Sequence, residues 1–386
     1  MSRLHIAQFN DSFPPMIDGV AQVVKNYAAV LQKNHCDVTV VTPSYKDVVD
    51  NYPFEVHRYS SLPVEKKLGY RAGFAFSPLT IHQLRQQHFD LLHIHAPFAS
   101  SVLANNVNRF RDIPTVLTYH TKFDIDIRKR LHSRGAQAVA LRFVRHNIQQ
   151  ADEVWAVTKT CIQSLRALGY EGPCRVMENG TDFAYGKAPA DTAQALREAH
   201  GLPEDCPIFL FVGRMMWYKN TKLILDAVHL AKRRGLPFRL LMVGDGVDLQ
   251  EIRAYSDSLG LSEQVRFTGP VFDRERLRAY YTLADLFLFP STYDTSGIVV
   301  KEAAACECPA LLIRGSCAAE GAVNRVNAFL AEETPLSCGQ AILDACADRE
   351  TLRQVGKAAG EQLYLSWDTA VARAFARYEE ILHGGK

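Results

Sequence analysis

The chain has 386 residues, with 44 lysines and arginines against 42 aspartates and glutamates, a net charge of +2. That length suits two domains better than one, and 47% hydrophobic with 22% charged residues is the balance of a globular protein rather than a disordered one. So small a net charge gives no general attraction to nucleic acid, and no apolar run reaches the ~18 residues of a membrane span.

The first residues run straight into a strand-like segment with no charged and apolar leader before it, so the expected location is cytoplasmic. The nine cysteines are odd in number and scattered, which fits reduced thiols in or near a core. Cys306, Cys308 and Cys317 cluster, but they lack the spacing of a zinc ribbon and an obvious fourth ligand.

Short apolar or β-branched runs recur along the first half: Leu4–Asn10, Val38–Pro43, Leu91–Ala96, Thr115–His120, Glu153–Thr158 and Arg175–Asn179. Helix-like stretches such as Val20–Lys33 and Ala136–Gln150 lie between several of them. A second series follows at Ile208–Gly213, Arg239–Gly244, Val265–Gly269, Leu286–Pro290 and Ala310–Arg314, with Thr221–Arg234 and Leu249–Leu259 reading as helices. Strands buried on both faces read as continuous apolar runs, and alternation with helices implies right-handed βαβ units in a parallel sheet. Two such series predict an α/β chain of two doubly wound, Rossmann-like domains. The expected division is 1–182 and 183–366, with the stretch Gly180–Pro203 as linker and a last helix within 367–386 that crosses back to the first domain.

Ligands of open α/β sheets collect at the carboxyl ends of the strands. After the first strand, Gly19 opens a helix, where free backbone amides can approach a phosphate or a sugar; the bland alternative is a loop and a helix cap. No G-x-G-x-x-G follows a strand here, which argues against a nicotinamide-dependent oxidoreductase. In the second half, Arg214 ends a strand and Lys219 follows five positions later, two cations able to hold a pyrophosphate and stabilise its charge as it leaves. Gly244 ends the next strand in a tight turn. The segment from Ser291 to Ala303 sets a small polar loop, with Thr295, Ser296, Gly297 and Ile298, on the N-terminus of a helix, where amides and dipole favour a phosphate. Glu302 lies early in that helix and can accept hydrogen bonds from ribose hydroxyls.

Asp294 and Glu302 are separated by seven residues, and this spacing resembles the acidic pair of the family 4 glycosyltransferases. Gly19, His120, Arg214, Lys219 and the Glu178-Asn179-Gly180 turn also fall where that family has them, so the likeness spans nearly the whole chain. The resemblance implies a GT-B fold, retention of anomeric configuration, a nucleotide sugar held by the C-terminal domain and an acceptor held mostly by the N-terminal one. It further implies Arg214 and Lys219 on the diphosphate, Glu302 on the ribose, Asp294 and the amides of Thr295–Ile298 near the sugar and phosphates, and His120 on the transferred hexose. No metal or other cofactor is expected.

Asp294 stands where the family usually has glutamate, so its carboxylate is one methylene shorter. Glu307 stands where the family often has glycine, and the expectation is a helix end that avoids left-handed backbone there. Asp124-Ile125-Asp126 spells the D-x-D that binds metal in a different glycosyltransferase fold, a short motif frequent by chance. His93 and His95 alternate on a strand and face one side, as a metal pair or, more simply, as a packed strand end.

Between Ile127 and Gln150 there is no Asp or Glu, while Arg128, Lys129, Arg130, Arg134, Arg142 and Arg145 all occur. Arg134, Arg142 and Arg145 share one helical stripe, and Leu141, Val144 and Ile148 an apolar one. Lys66, Lys67 and Arg71 form a second basic cluster. Such a helix either lies on an anionic membrane or packs on the sheet with a solvated basic face. The segment after His120 resembles lipid-glycosylating relatives. The expected partners are therefore a UDP- or GDP-linked hexose, UDP-glucose or -galactose foremost, a membrane lipid such as diacylglycerol, and the inner membrane face itself. The alternatives are a soluble or polysaccharide acceptor, or a GT-B protein that binds sugar nucleotides without turnover.

Overall fold

A computed structural model describes residues 3–16, 19–63 and 71–384, without the side chains of Lys129 and Arg130. The chain forms two compact units, one of Met1–Asn179 with Trp367–Lys386 and one of Gly180–Ser366.

In the first unit, strands β1 (His5–Phe9), β2 (Asp37–Pro43) and β3 (Glu55–Tyr59) are followed by a two-stranded antiparallel pair, β4 (Ser61–Leu62) and β5 (Ala72–Gly73). Then come β6 (Leu91–Ile94), β7 (Thr115–Tyr119), β8 (Glu153–Ala156) and β9 (Cys174–Val176). Seven of these make a parallel sheet in the order β3-β2-β1-β6-β7-β8-β9. Ile6, Ala7, Phe9, Leu91, Leu92 and Ile94 are buried, as central strands covered by helices on both faces must be. Between β1 and β6 the winding reverses, and the loops beyond their carboxyl ends part there.

The second unit repeats the scheme with β10 (Ile208–Val212), β11 (Arg239–Val243), β12 (Val265–Gly269), β13 (Leu286–Phe289), β14 (Ala310–Ile313) and β15 (Phe329–Ala331). Their parallel order is β12-β11-β10-β13-β14-β15, so the reversal lies between β10 and β13. Central β10, Ile-Phe-Leu-Phe-Val, is buried at every residue. Three of its helices start where a short polar side chain accepts an otherwise orphaned amide, as Asp273 caps the helix Arg274–Leu283 through the Arg276 amide at 3.0 Å.

The expected linker is not one. Within Gly180–Pro203 the helix Ala190–Ala199 buries Leu196 in the core of the second unit, and the units divide between Asn179 and Gly180. The strands β3 and β15 were not expected. Edge strand β3, Glu-Val-His-Arg-Tyr, buries only Tyr59, and β15 is three residues long, so neither carries a continuous apolar run. The last helix, Trp367–Leu382, belongs to the first unit. It packs Trp367 edge-on to Tyr27, stacks Tyr378 on Trp155 and pairs Arg377 with Glu153.

Glu307 corrects a further expectation. The helix Ile298–Ala305 ends in left-handed backbone at that residue, φ +54°. A side chain there costs ~1–2 kcal/mol. The conformation is held from outside, since Gly356 approaches the Glu307 carbonyl so closely that a Cβ would lie 2.2 Å from it.

Candidate functional site: a charged pocket in one unit, a histidine array in the other

In the second unit the loops after β10 and β11 lie one on the other. The Gly213 amide donates to the Val243 carbonyl at 3.0 Å and the Met215 amide to the Asp245 carbonyl at 2.9 Å. This approach dictates Gly244: its φ is +139°, and a Cβ there would stand 2.0 Å from the Gly213 oxygen. The closed loop presents Arg214 outward, its guanidinium 5.7 Å from the Tyr218 ring.

Lys219 is buried, and its Nζ donates to the carboxylate of Asp294, which also accepts from the hydroxyl of Ser291. The fold therefore brings Lys219 to an aspartate 75 positions away in sequence, with Ser291 on that aspartate's other oxygen. The shorter aspartate is fixed by this pair of contacts, and the ammonium keeps two further donors for an anion. Directly after Asp294, Thr295, Ser296 and Gly297 lead into the helix Ile298–Ala305. Gly297 takes φ +54° and lies against Ala318, where a side chain would be both strained and crowded. That geometry leaves the first amides of the helix as donors for a phosphate.

Glu302 is 5% exposed, and both carboxylate oxygens have partners. Arg274 donates to Oε1 at 2.6 Å and the Tyr281 hydroxyl to Oε2 at 3.0 Å. Arg274 also binds Asp182 through Nε at 2.9 Å and covers the Phe183 ring at 4.5 Å. Burial opposes its charge, yet Glu302 and Asp182 raise its pKa above the ordinary arginine value. Burial raises the Tyr281 phenol well above its usual range, so it remains a donor. Sequence reasoning found Glu302 and missed Arg274, Tyr281 and Asp182, which flank it only after folding.

In the first unit His120 follows β7 and is buried. Its Nε2 lies 2.9 Å from Nδ1 of His95, and the rings are stacked at 5.2 Å. His93 and His95 approach to 3.9 Å between centroids. His93 in turn shares its Nε2 with the Thr118 hydroxyl at 2.7 Å and its Nδ1 with the Tyr378 hydroxyl at 2.6 Å. Burial holds His120 down to about 3 and both other imidazoles well below the usual histidine range, so all three are neutral at pH 7. Nε2 of His95 is buried without a hydrogen-bond partner. An orphaned acceptor is less costly than an orphaned N–H. His95 accordingly carries its proton on Nδ1 and donates to His120, which leaves the His120 proton on its own Nδ1. The alternating histidines are thus packed at a strand end, and one of them orients His120.

Beside them, the Asp11 carboxylate accepts from the Ser100 amide at 2.9 Å and the Ser100 hydroxyl at 3.0 Å. Burial pushes its pKa up to about 6. Gly19 begins the helix Gly19–Asn34 with nothing within 4 Å of the Cβ it lacks. Asn179 is buried, and Glu178 pairs with Arg373 at 3.8 Å. Asp124 lies in the helix Phe123–Arg130 and accepts from Ser164 at 3.3 Å, while Cys306, Cys308 and Cys317 are buried thiols of the second unit. No helix among the described residues is long and apolar enough to cross a membrane.

Residues 17–185 match the family model "Glycosyltransferase Family 4", and residues 192–362 match "Glycosyl transferases group 1". An alpha-monoglucosyldiacylglycerol synthase of Acholeplasma laidlawii is 25% identical over 320 residues, 80% of each chain. A protein of the same name from Streptococcus pneumoniae strain ATCC BAA-255 / R6 is 24% identical over 316 residues, 80% of this chain and 70% of that one. Among solved structures, sucrose-phosphate synthase of Thermosynechococcus elongatus superposes with a TM-score of 0.80 at 22% identity, over 99% of this chain and all of that one. Anabaena HepE in complex with UDP and glucose gives 0.76 at 19% identity over the same shares. With the two family models side by side along nearly the whole sequence and the two parallel sheets of a GT-B fold beneath them, the chain belongs to the family 4 glycosyltransferases and is a transferase enzyme.

Proposed function

We propose that the enzyme transfers a hexose, with retention, from a nucleotide sugar (UDP-glucose or UDP-galactose foremost) to a membrane lipid such as diacylglycerol. The observation that carries the donor side is the pairing of Lys219 with Asp294 at the mouth of the helix Ile298–Ala305. In this reading Arg214, Lys219 and the first helix amides surround the diphosphate, and Glu302, held by Arg274 and Tyr281, accepts the ribose hydroxyls. Positive groups already in place where charge develops on the leaving diphosphate lower the barrier without a divalent cation. His120, fixed by His95, meets the hexose with a neutral N–H.

The acceptor reading is supported by two relatives, each named alpha-monoglucosyldiacylglycerol synthase. The helix Arg134–Gln149 supports it, because Arg134 and Arg142 are exposed on the same element as exposed Val139 and Phe143. Such an enzyme would work peripherally on an anionic leaflet. Transfer from a panel of UDP- and GDP-hexoses to diacylglycerol in anionic vesicles tests the reading, and NMR of the product reports the anomer. A β-linked product from an α-linked donor ends retention. Activity lost in excess chelator and restored by manganese ends the metal-free mechanism. Full activity on a soluble acceptor without vesicle binding at low salt ends the lipid assignment.

A further inference from the structure

The first unit contains a cavity of about 610 Å³ that no part of the catalytic argument uses. Phe74, Phe76, Ala99, Val102 and Phe143 line it, with Ser60 and Ser77 among the few polar contributors. That size lies within the ~300–1,000 Å³ of small-molecule sites. Its walls come from four places: Ser60 after β3, the turn after β5, the first turns of the helix Ala99–Asn108, and the outer face of the helix Arg134–Gln149. The surroundings are apolar as well. Leu62 pairs with Ala72 in the antiparallel pair, Leu79 lies in the first turn of the helix that Ser77 caps, and Val139 lies one turn from Phe143; all three leucine and valine side chains are exposed. Phe76 is 75% exposed and Phe143 44%, although large aromatics gathered at one opening are normally covered in a globular protein.

Two arginines adjoin its lining residues. Arg142 precedes Phe143, and Arg71, two residues before Gly73, is held by Ser61 Oγ at 2.8 Å next to Ser60. No carboxylate occurs between Ile127 and Gln150. An apolar opening with a cationic edge matches the boundary of an anionic bilayer, where hydrocarbon lies beneath phosphate. The inner wall leads to the proposed site, since Ala99 adjoins Ser100, which holds Asp11 beyond the carboxyl end of β1.

We infer that this groove takes one acyl chain of the acceptor lipid and so presents its glycerol hydroxyl toward the Asp11 and His120 end of the sheet. The inference rests on the lipid-acceptor reading, and it makes selectivity for acyl chains a property of Phe74, Phe76, Val102 and Phe143. Each methylene that enters the groove should tighten binding about fourfold, until the cavity is full.

The test uses the full-length enzyme, a fluorescent polyene fatty acid (cis-parinaric acid) as the binding probe, and diacylglycerols of graded chain length in mixed micelles. Val102→Trp fills the groove, and Phe143→Ser removes an exposed wall that folding does not require. Expected is at least a tenfold loss of probe affinity in both variants and a flattened chain-length dependence of KM, with UDP affinity unchanged. Unchanged probe affinity and chain-length dependence in both variants, while wild type glycosylates diacylglycerol, overturns the groove and leaves the acceptor reading intact. Probe binding that Val102→Trp abolishes, with no transfer to any glycerolipid, overturns the acceptor reading and with it the assignment of the chain to an acceptor.

Discussion

The two units share a winding scheme and differ in what they place at the strand ends. Beyond β10 and β13 the second unit gathers charge: Arg214, Lys219, Asp294, Glu302 and Arg274, each carboxylate answered by a cation. Beyond β6 and β7 the first unit gathers neutral imidazoles and aromatic rings, with Asp11 largely deprived of water. Both arrangements satisfy one constraint, that a buried polar group needs a partner or must give up its charge. In the proposed function this contrast has a reason: a pyrophosphate arrives with charge of its own, so a site for it can keep ions, whereas a hexose or a lipid hydroxyl suits a neutral one. The topology is common to both, and the chemistry is set by side chains on the loops.

Acidification should separate the two units most strongly. His93, His95 and His120 have folded pKa values below the unfolded value of 6.5, so the unfolded chain binds protons that the folded one refuses. Their contribution is present above pH 6.5 and is lost as pH falls below it, because burial keeps the folded imidazoles neutral while the unfolded ones take up protons. Asp11 acts in the other direction. Its value is raised from 3.8 to about 6, so it favours folding as pH falls through 6 and offsets about 1 kcal/mol by pH 5. The first unit should therefore lose stability on balance between pH 7 and pH 5, since three imidazoles oppose one carboxyl. Hydrogen exchange corrected for intrinsic rates should show β1 and β6 losing protection well before β10 and β13. Equal losses in both units would remove the contrast in burial.

Kinetics sharpen the comparison next. Lys219→Ala should lower kcat about 10²–10³-fold, because a preplaced cation acts on charge that develops only in the transition state. It also leaves Asp294 without its cation. His120→Ala should cut turnover while UDP affinity stays nearly constant. A parallel fall in UDP affinity would show the division of labour between the units to be misdrawn.

Glu302→Gln should raise the KM for donor by about 10–100-fold, the worth of charge-assisted hydrogen bonds at ~1.5–3 kcal/mol. The same substitution takes an anionic partner from Arg274. A KM unchanged from wild type would assign Glu302 to the Arg274 network alone. The smallest effect belongs to Glu307→Gly. Relief of ~1–2 kcal/mol of left-handed strain, less ~0.5–1 kcal/mol of added chain entropy, should raise stability by a few tenths to about 1 kcal/mol. Denaturant unfolding reads that gain, and a loss of stability would mean that the Tyr185 contact to Glu307 outweighs the strain.

Most of the architecture was legible in the amino-acid order because it rests on local pattern. The run Ile208–Val212 announces a central strand, and a polar loop before Ile298 announces a helix that starts with free amides. Arg214, Lys219, Asp294 and Glu302 could be named from their offsets after strands. Edge strand β3 escaped because half-exposed residues carry no apolar run, and the helix Ala190–Ala199 escaped because polar composition resembles a linker. The basic residues Lys66 and Lys67 lie outside the described residues. Arg145 belongs to the expected basic stripe, but it is half-buried, its guanidinium packed over Gly169.

What the order of residues determined alone was the alternation of strands and helices, the two series and the family-bearing spacing, all set by near neighbours. Only the tertiary structure decided the partners. Tyr378 reaches His93 across 285 positions, Arg274 reaches Glu302 across 28, and the walls of the apolar groove come from four separate segments. Burial completes that decision, since an imidazole or a carboxyl acquires its protonation state from the water that folding removes and the neighbours that folding supplies.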